Sequence, residues 1–217
     1  MSSSLPLYSV IKKSSLSKNS PLLILLHGYG SDENDLFSFA EELPNELCII
    51  SLRAPIKIIP YGYAWYSINF DENQNKWNDT EQAKKAMNMI LKCIDVATSL
   101  YNIDKFNVSL LGFSQGCILS LALALNNPKK FKNIIGLSGY LSEDFLDQSL
   151  KKDDYKHLNF YYSHGVSDQV IPVEWARKTS LFLKKLNLNF KYSEFPVGHG
   201  VSPQNFFELK NWLEKFI

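Results

Sequence analysis

The chain has 217 residues, a formal net charge of +1, 45% hydrophobic and 13% aromatic residues. The basic residues are scattered lysines rather than a one-sided patch, which argues against a nucleic-acid partner. Cys48, Cys93 and Cys117 are odd in number and unclustered, which argues against a disulfide framework or a zinc motif. One domain over residues 1–217 is expected, with 1–20 an N-terminal strand and turn or partly flexible. The start, MSSSLPLYSVIKKSS, lacks the charged and apolar regions of a secretory signal, and no apolar run reaches a bilayer span. A cytoplasmic protein without stable membrane insertion is therefore expected.

In chain order, strand and helix patterns alternate. PLLILL (21–26) is a fully apolar run of the kind buried in parallel sheets. A helix is expected next, capped by Ser31, with Asp32 and Glu33 at its positive end and Leu36, Phe39, Ala40 and Leu43 on one face. LCIISL (47–52) is a strand, and 53–79 is irregular. Asp79 and Gln82 suggest a capping box. A long helix then follows, with Ala83, Ala86, Met87, Ile90, Ile94, Ala97 and Tyr101 on one face. FNVSLLG (106–112) is a strand, and 115–126 is a helix apolar nearly all round. NIIGLSG, LNFYYSHG and NFKYSEF are further strands, the last two separated by a helix opening at Pro172. Ser202-Pro203 caps the final helix. This order implies an α/β fold, a mostly parallel sheet with helices on both faces, whose chemistry lies at the carboxyl ends of the strands.

Gly112-Phe113-Ser114-Gln115-Gly116 sits directly between a strand and a helix. There the glycines permit a tight turn that lifts the serine hydroxyl clear, and the Gln115 N–H can donate to a developing oxyanion. The alternative is an ordinary helix cap with glycines for close packing. A serine needs a base, and among His27, His157, His164 and His199 the last lies in a polar strand-end loop before the final helix. Asp168, after another strand, is the candidate acid. Asp144, Asp147, Asp153 and Asp154 are rivals in a polar stretch. Ser114, Asp168 and His199 follow the nucleophile–acid–base order of α/β-hydrolases. In LLHGYGSDENDL, the Tyr29 N–H is the preferred second oxyanion donor.

These stretches, with RAP (53–55), LSGYL, SHGVSDQVIP and GHG, resemble the phospholipase/carboxylesterase family of small α/β-hydrolases, which includes the acyl-protein thioesterases. The resemblance implies Ser114, Asp168 and His199 as the triad. It also implies hydrolysis of acyl esters or thioesters without metal or cofactor. Tyr29 and Ser31-Asp32-Glu33 look like the bacterial carboxylesterase branch, since thioesterase members typically carry leucine at the first of these positions. The apolar loop APIKIIPYGYAWYSINF (54–70) offers Ile58, Ile59, Tyr63, Trp65 and Phe70 as an acyl slot or flap, with Trp65 the leading substrate contact. The alternative for this loop is a satellite core or a homodimer patch. The expected partner is a small acyl ester, and the competing function class is a hydrolase fold retained for ligand binding.

Overall fold

The computed structural model describes residues 4–70, 76–147 and 155–217. In chain order its elements are β1 (Ser9–Lys12), β2 (Ser20–Leu26), β3 (Cys48–Leu52), β4 (Ile56–Lys57), β5 (Tyr63–Ala64), β6 (Ile68–Phe70) and β7 (Lys76–Asn78). They continue with α1 (Thr80–Leu100), β8 (Ile103–Phe113), α2 (Gln115–Asn126), β9 (Asn133–Leu137), β10 (Asn159–Gly165), α3 (Val173–Lys185), β11 (Asn189–Phe195) and α4 (Pro203–Leu213).

Seven strands form one sheet in the order β1-β3-β2-β8-β9-β10-β11. All neighbours in it are parallel except β1 and β3. β2, β3 and β9 are buried along their whole length, which is what continuous Leu/Ile runs require when both sheet faces are covered. Alternation within a strand sorts side chains between two cores. Leu22, Ile24 and Leu26 pack with residues of α1, α2 and α3, whereas Leu23 and Leu25 pack with Leu36, Ala40 and α4 residues Leu209 and Leu213. α2 is apolar all round because it is buried all round, from Gln115 to Leu125.

The connection after β2 leads to β3 on one side, and that after β8 leads to β9 on the other. The carboxyl ends of β2 and β8 therefore flank a switch point, where open α/β sheets form a crevice. Ser114 and the loop beginning at His27 lie there.

Two local expectations need correction. Residues 31–43 do not form an α-helix capped by Ser31; a 3-10 helix spans Leu36–Glu42. Ser31 is pinned elsewhere, because its carbonyl accepts from the Tyr63 N–H at 2.8 Å. Its hydroxyl donates to Asp35 Oδ2 at 2.7 Å, and Asp32 Oδ1 turns the chain by accepting from the Asn34 N–H at 2.8 Å. The Asp79 cap forms, with Oδ1 accepting from the Gln82 N–H at 2.9 Å. The reciprocal half of the box does not, since Gln82 Oε1 accepts from the Ser67 N–H at 2.7 Å instead. Among the described residues, no helix is long and apolar enough to cross a membrane.

Candidate active site

Ser114 joins β8 to α2 with φ 51° and ψ −114°, a backbone region costly for any residue with a Cβ. A Cβ on Gly116 would collide with the Leu26 carbonyl, and one on Gly112 with the Gly116 carbonyl. β2, β8 and α2 thus meet backbone to backbone, and the elbow is fixed by contacts that only glycine permits. The Ser114 N–H donates to the Leu137 carbonyl at 2.9 Å, tying the turn to the end of β9.

His199 and Asp168 arrive on loops that close against each other. The Val166 N–H donates to the Phe195 carbonyl at 2.9 Å, and the Ser167 N–H to the Val197 carbonyl at 3.1 Å. These two bonds lock the loop after β10 to the loop after β11. His199 Nδ1 lies 2.7 Å from Asp168 Oδ2, and Nε2 lies 2.9 Å from Ser114 Oγ. With Nδ1 donating to the carboxylate, Nε2 presents its lone pair to the hydroxyl. The Phe113 ring backs the imidazole at a centroid distance of 5.0 Å. Burial pushes the Asp168 carboxyl up, but N–H donation from Ile171, His199 and Val170 outweighs it and holds the group below its ordinary range. Asp168 therefore stays ionised beside an imidazole that is itself partly exposed. Of the rival acids, Asp144 and Asp147 are exposed, and Asp153 and Asp154 lie outside the described residues. His157 is a surface residue whose Nε2 lies 2.8 Å from the Pro128 carbonyl oxygen.

The loop after β2 passes directly over the serine. A Cβ on Gly28 would sit 3.3 Å from Ser114 Cβ and 3.1 Å from the Phe113 ring. Among the described residues no hydrogen bond engages the Tyr29 N–H. The Gln115 N–H is at the first turn of α2, where no intrahelical carbonyl can reach it. Both N–H groups are thus without an acceptor among the described residues. His27 shapes this loop: Nδ1–H donates to the Gly28 carbonyl at 2.7 Å, and Nε2 accepts from the Ala54 N–H at 3.1 Å. Both ring nitrogens are engaged and burial lowers its basicity, so His27 is a neutral structural group.

The segment 54–70 departs most from expectation. Trp65 is fully buried, so it is no substrate contact. Its indole Nε1–H donates to the His27 carbonyl at 2.9 Å, and its backbone N–H donates to Gln115 Oε1 at 2.8 Å. Gln115 Nε2 in turn donates to the Tyr66 carbonyl at 2.7 Å. The indole thus supports the loop after β2, and the Gln115 amide holds its backbone in place. Tyr63 is half-buried and lies 4.7 Å from the Arg53 guanidinium, which is stacked between it and Tyr8. Ile58 is half-buried and Ile59 is 88% exposed at the tip of the β4–β5 hairpin. The Phe70 side chain lies outside what the structure describes. The hairpin docks on the loop after β2, with the Gly30 N–H donating to the Tyr63 carbonyl at 2.9 Å. A cavity of about 460 Å³ that contains none of Ser114, Asp168 and His199 is lined by Tyr140, Leu141, Trp175, Thr179 and Phe182 among others.

A family model described as Phospholipase/Carboxylesterase matches residues 8–217. The chain belongs to the phospholipase/carboxylesterase family. It is therefore a serine hydrolase acting on carboxylic esters. Acyl-protein thioesterase 1 of Yarrowia lipolytica is 26% identical over 227 residues, covering 98% of this chain and 99% of that protein. A probable carboxylesterase, SOBER1-like, of Arabidopsis thaliana is 28% identical over 114 residues, 52% of this chain and 44% of that one. Among solved structures, esterase PE8 matches with a TM-score of 0.83 at 22% identity, over 97% of this chain and 99% of that one. The Bacillus cereus carboxylesterase matches with a TM-score of 0.81 at 19% identity, over 97% and 95%. These structural likenesses show the fold.

Within this family member the Gln115 side-chain amide, where the sequence offered only the residue's backbone N–H, is a staple between the elbow and the 54–70 segment. Gln115→Leu leaves the buried Trp65 N–H and Tyr66 carbonyl unpaired. Each orphan costs about 1–3 kcal/mol, so we expect the melting temperature to fall by roughly 5–10 °C in thermal unfolding. Glu33, expected to favour a helix N-terminus, is instead buried against Arg53, with Nε to Oε2 at 2.6 Å. The Arg53 hydrogen bond holds Glu33 below the usual carboxylate range. With folded values of Glu33 and Asp168 below the unfolded ones, their contribution to stability is complete above roughly pH 4 and lost as pH falls through the folded values. Melting temperatures from pH 7 down to pH 3 should fall steeply at the acid end. The fall should be shallower in Arg53→Gln, where Glu33 has lost the partner that depresses it.

Proposed function

We propose that the chain is a serine carboxylesterase that hydrolyses short- to medium-chain acyl esters through Ser114, His199 and Asp168 by way of an acyl-enzyme. The observation that carries this reading is the unbroken line from Asp168 Oδ2 through His199 to Ser114 Oγ, at 2.7 and 2.9 Å. His199 takes the hydroxyl proton as Ser114 attacks the ester carbonyl. The oxyanion forms against the N–H groups of Tyr29 and Gln115. The imidazolium, stabilised by Asp168, protonates the leaving alcohol, and water then releases the acyl group by the same proton route in reverse. The acyl chain would run from the serine along the docked β4–β5 hairpin, where Ile58 and Ile59 present apolar surface.

Thioester hydrolysis is the second reading, favoured by the Yarrowia lipolytica relative that spans nearly the whole chain. Turnover of p-nitrophenyl esters from acetate to palmitate, beside acyl thioesters of the same chain lengths, decides between them. The carboxylesterase reading predicts a maximum at short to medium chains, with esters turned over at least as fast as thioesters. A clear preference for palmitoyl thioesters would transfer the assignment to the second reading. Failure of every substrate, and of a fluorophosphonate probe, would leave a ligand-binding role.

A further inference from the structure

His164, in β10, is buried and lies outside the line from serine to acid, yet its ring reaches that line. His164 Nε2 is 2.9 Å from the Ile171 carbonyl oxygen and 3.2 Å from Asp168 Oδ2. A carbonyl oxygen only accepts, so Nε2 carries the proton and the ring is neutral with Nδ1 bare. Nδ1 is buried and has no hydrogen-bond partner among the described residues. One edge of the imidazole is thus engaged with the acid loop and the other is unsatisfied. The ring is the partner of a buried carbonyl on the loop that carries Asp168, so its polarity serves that loop rather than the core.

We propose that His164 is a positioning residue for the reaction, its Nε2–H holding the Ile171 carbonyl and so the turn from which Asp168 presents Oδ2 to His199. Asp168 Oδ1 is held by the N–H groups of Val170 and Ile171 at 2.8 and 2.9 Å. Oδ2 accepts from His199 Nδ1–H at 2.7 Å, and His164 Nε2 stands 3.2 Å from it. The carboxylate is thus fixed through Ile171, the residue that His164 holds. The same Nε2–H clasps the Ile171 carbonyl, so the turn that carries Asp168 is closed from inside. Among the described residues, three charged or titratable groups bear on the ring. Asp168 and, beyond it, His199 lie on the loop side. On β11, Glu194 stands opposite in register, its carboxylate bonded by Arg177 and the Tyr192 hydroxyl. Burial lowers the basicity of His164, which keeps it a neutral donor.

This inference rests on the triad reading, and the test separates the two. His164→Leu removes the donor. His164→Gln restores an N–H the same number of bonds from Cβ. His164→Asn stays polar but ends one bond short. With p-nitrophenyl acetate, His164→Leu should lose roughly ten- to a hundredfold in kcat at unchanged KM. Its melting temperature should change little, because the Ile171 carbonyl loses its partner while the orphaned Nδ1 is removed. The limb on which kcat/KM rises with pH should move to lower pH, because a carboxylate no longer held against His199 Nδ1 stabilises the imidazolium less. His164→Gln should recover to within about threefold of the parent. Wild-type kcat in His164→Leu, or a loss in His164→Gln as large as in His164→Leu, overturns the proposal. If His164→Leu does not fold, the Gln and Asn variants decide: Gln much faster than Asn supports it and equal rates overturn it. Ser114→Ala measured alongside marks the level below. If it is inactive while His164→Leu is unimpaired, only the positioning role falls; if it retains activity, the triad reading falls.

Discussion

Replacing Ser114 by glycine should abolish turnover and at the same time stabilise the protein. The serine sits at φ 51° and ψ −114°, where a Cβ is crowded by its own backbone. Strain of this kind costs on the order of 1–3 kcal/mol. Glycine relieves it, less about 1 kcal/mol for the greater freedom glycine has in the unfolded chain. The net gain should raise the melting temperature by up to about 5 °C. Turnover should fall by about four to six orders of magnitude, the usual loss when a triad nucleophile is removed. Ser114→Ala is the control, because it loses the hydroxyl but keeps the Cβ. It should be equally inactive and less stable than Ser114→Gly. A glycine variant no more stable than the alanine variant would contradict the claim that the elbow stores strain.

The second large effect is expected for Asp168→Asn. Val170 and Ile171 present N–H groups to Oδ1, so an asparagine must place its oxygen there and its NH2 where Oδ2 stood. That NH2 then faces Nδ1 of His199 and Nε2–H of His164. His199 can meet a donor only by offering a bare Nδ1, which moves its proton to Nε2 and leaves no lone pair for the Ser114 hydroxyl. The fold is retained and the base has the wrong tautomer, so kcat should fall by about ten-thousandfold. Steady-state kinetics with circular dichroism checks this. A loss under tenfold in a folded variant would mean that Asp168 does not set the imidazole.

Which parts of this site were legible in the sequence follows from how local their causes are. PLLILL and NIIGL announce buried parallel strands because both faces must be apolar, and the structure has them as β2 and β9. Ser114, Asp168 and His199 were each readable as polar residues just past a strand, and parallel strands bring such positions to one edge. The failures are non-local. Nothing near Ser31 says that its carbonyl is taken by Tyr63, which prevents the expected helix. Trp65 in an apolar loop reads as a pocket residue until Gln115, fifty positions away, is seen to hold its backbone. The Gln115 amide, His27 and His164 were missed for one reason. Each is a polar group inside an apolar context, and only the fold supplies its partner. The two histidines did share a local signal, since both end a buried strand immediately before glycine.

The central claim is that Ser114 is an activated nucleophile and His199 its base. Covalent labelling by a fluorophosphonate, with the modified residue located by peptide mass spectrometry, tests it most directly. One adduct on Ser114, lost in Ser114→Ala and strongly slowed in His199→Ala, is the predicted result. No adduct, an adduct on another residue, or labelling of His199→Ala at the parent rate would contradict the account.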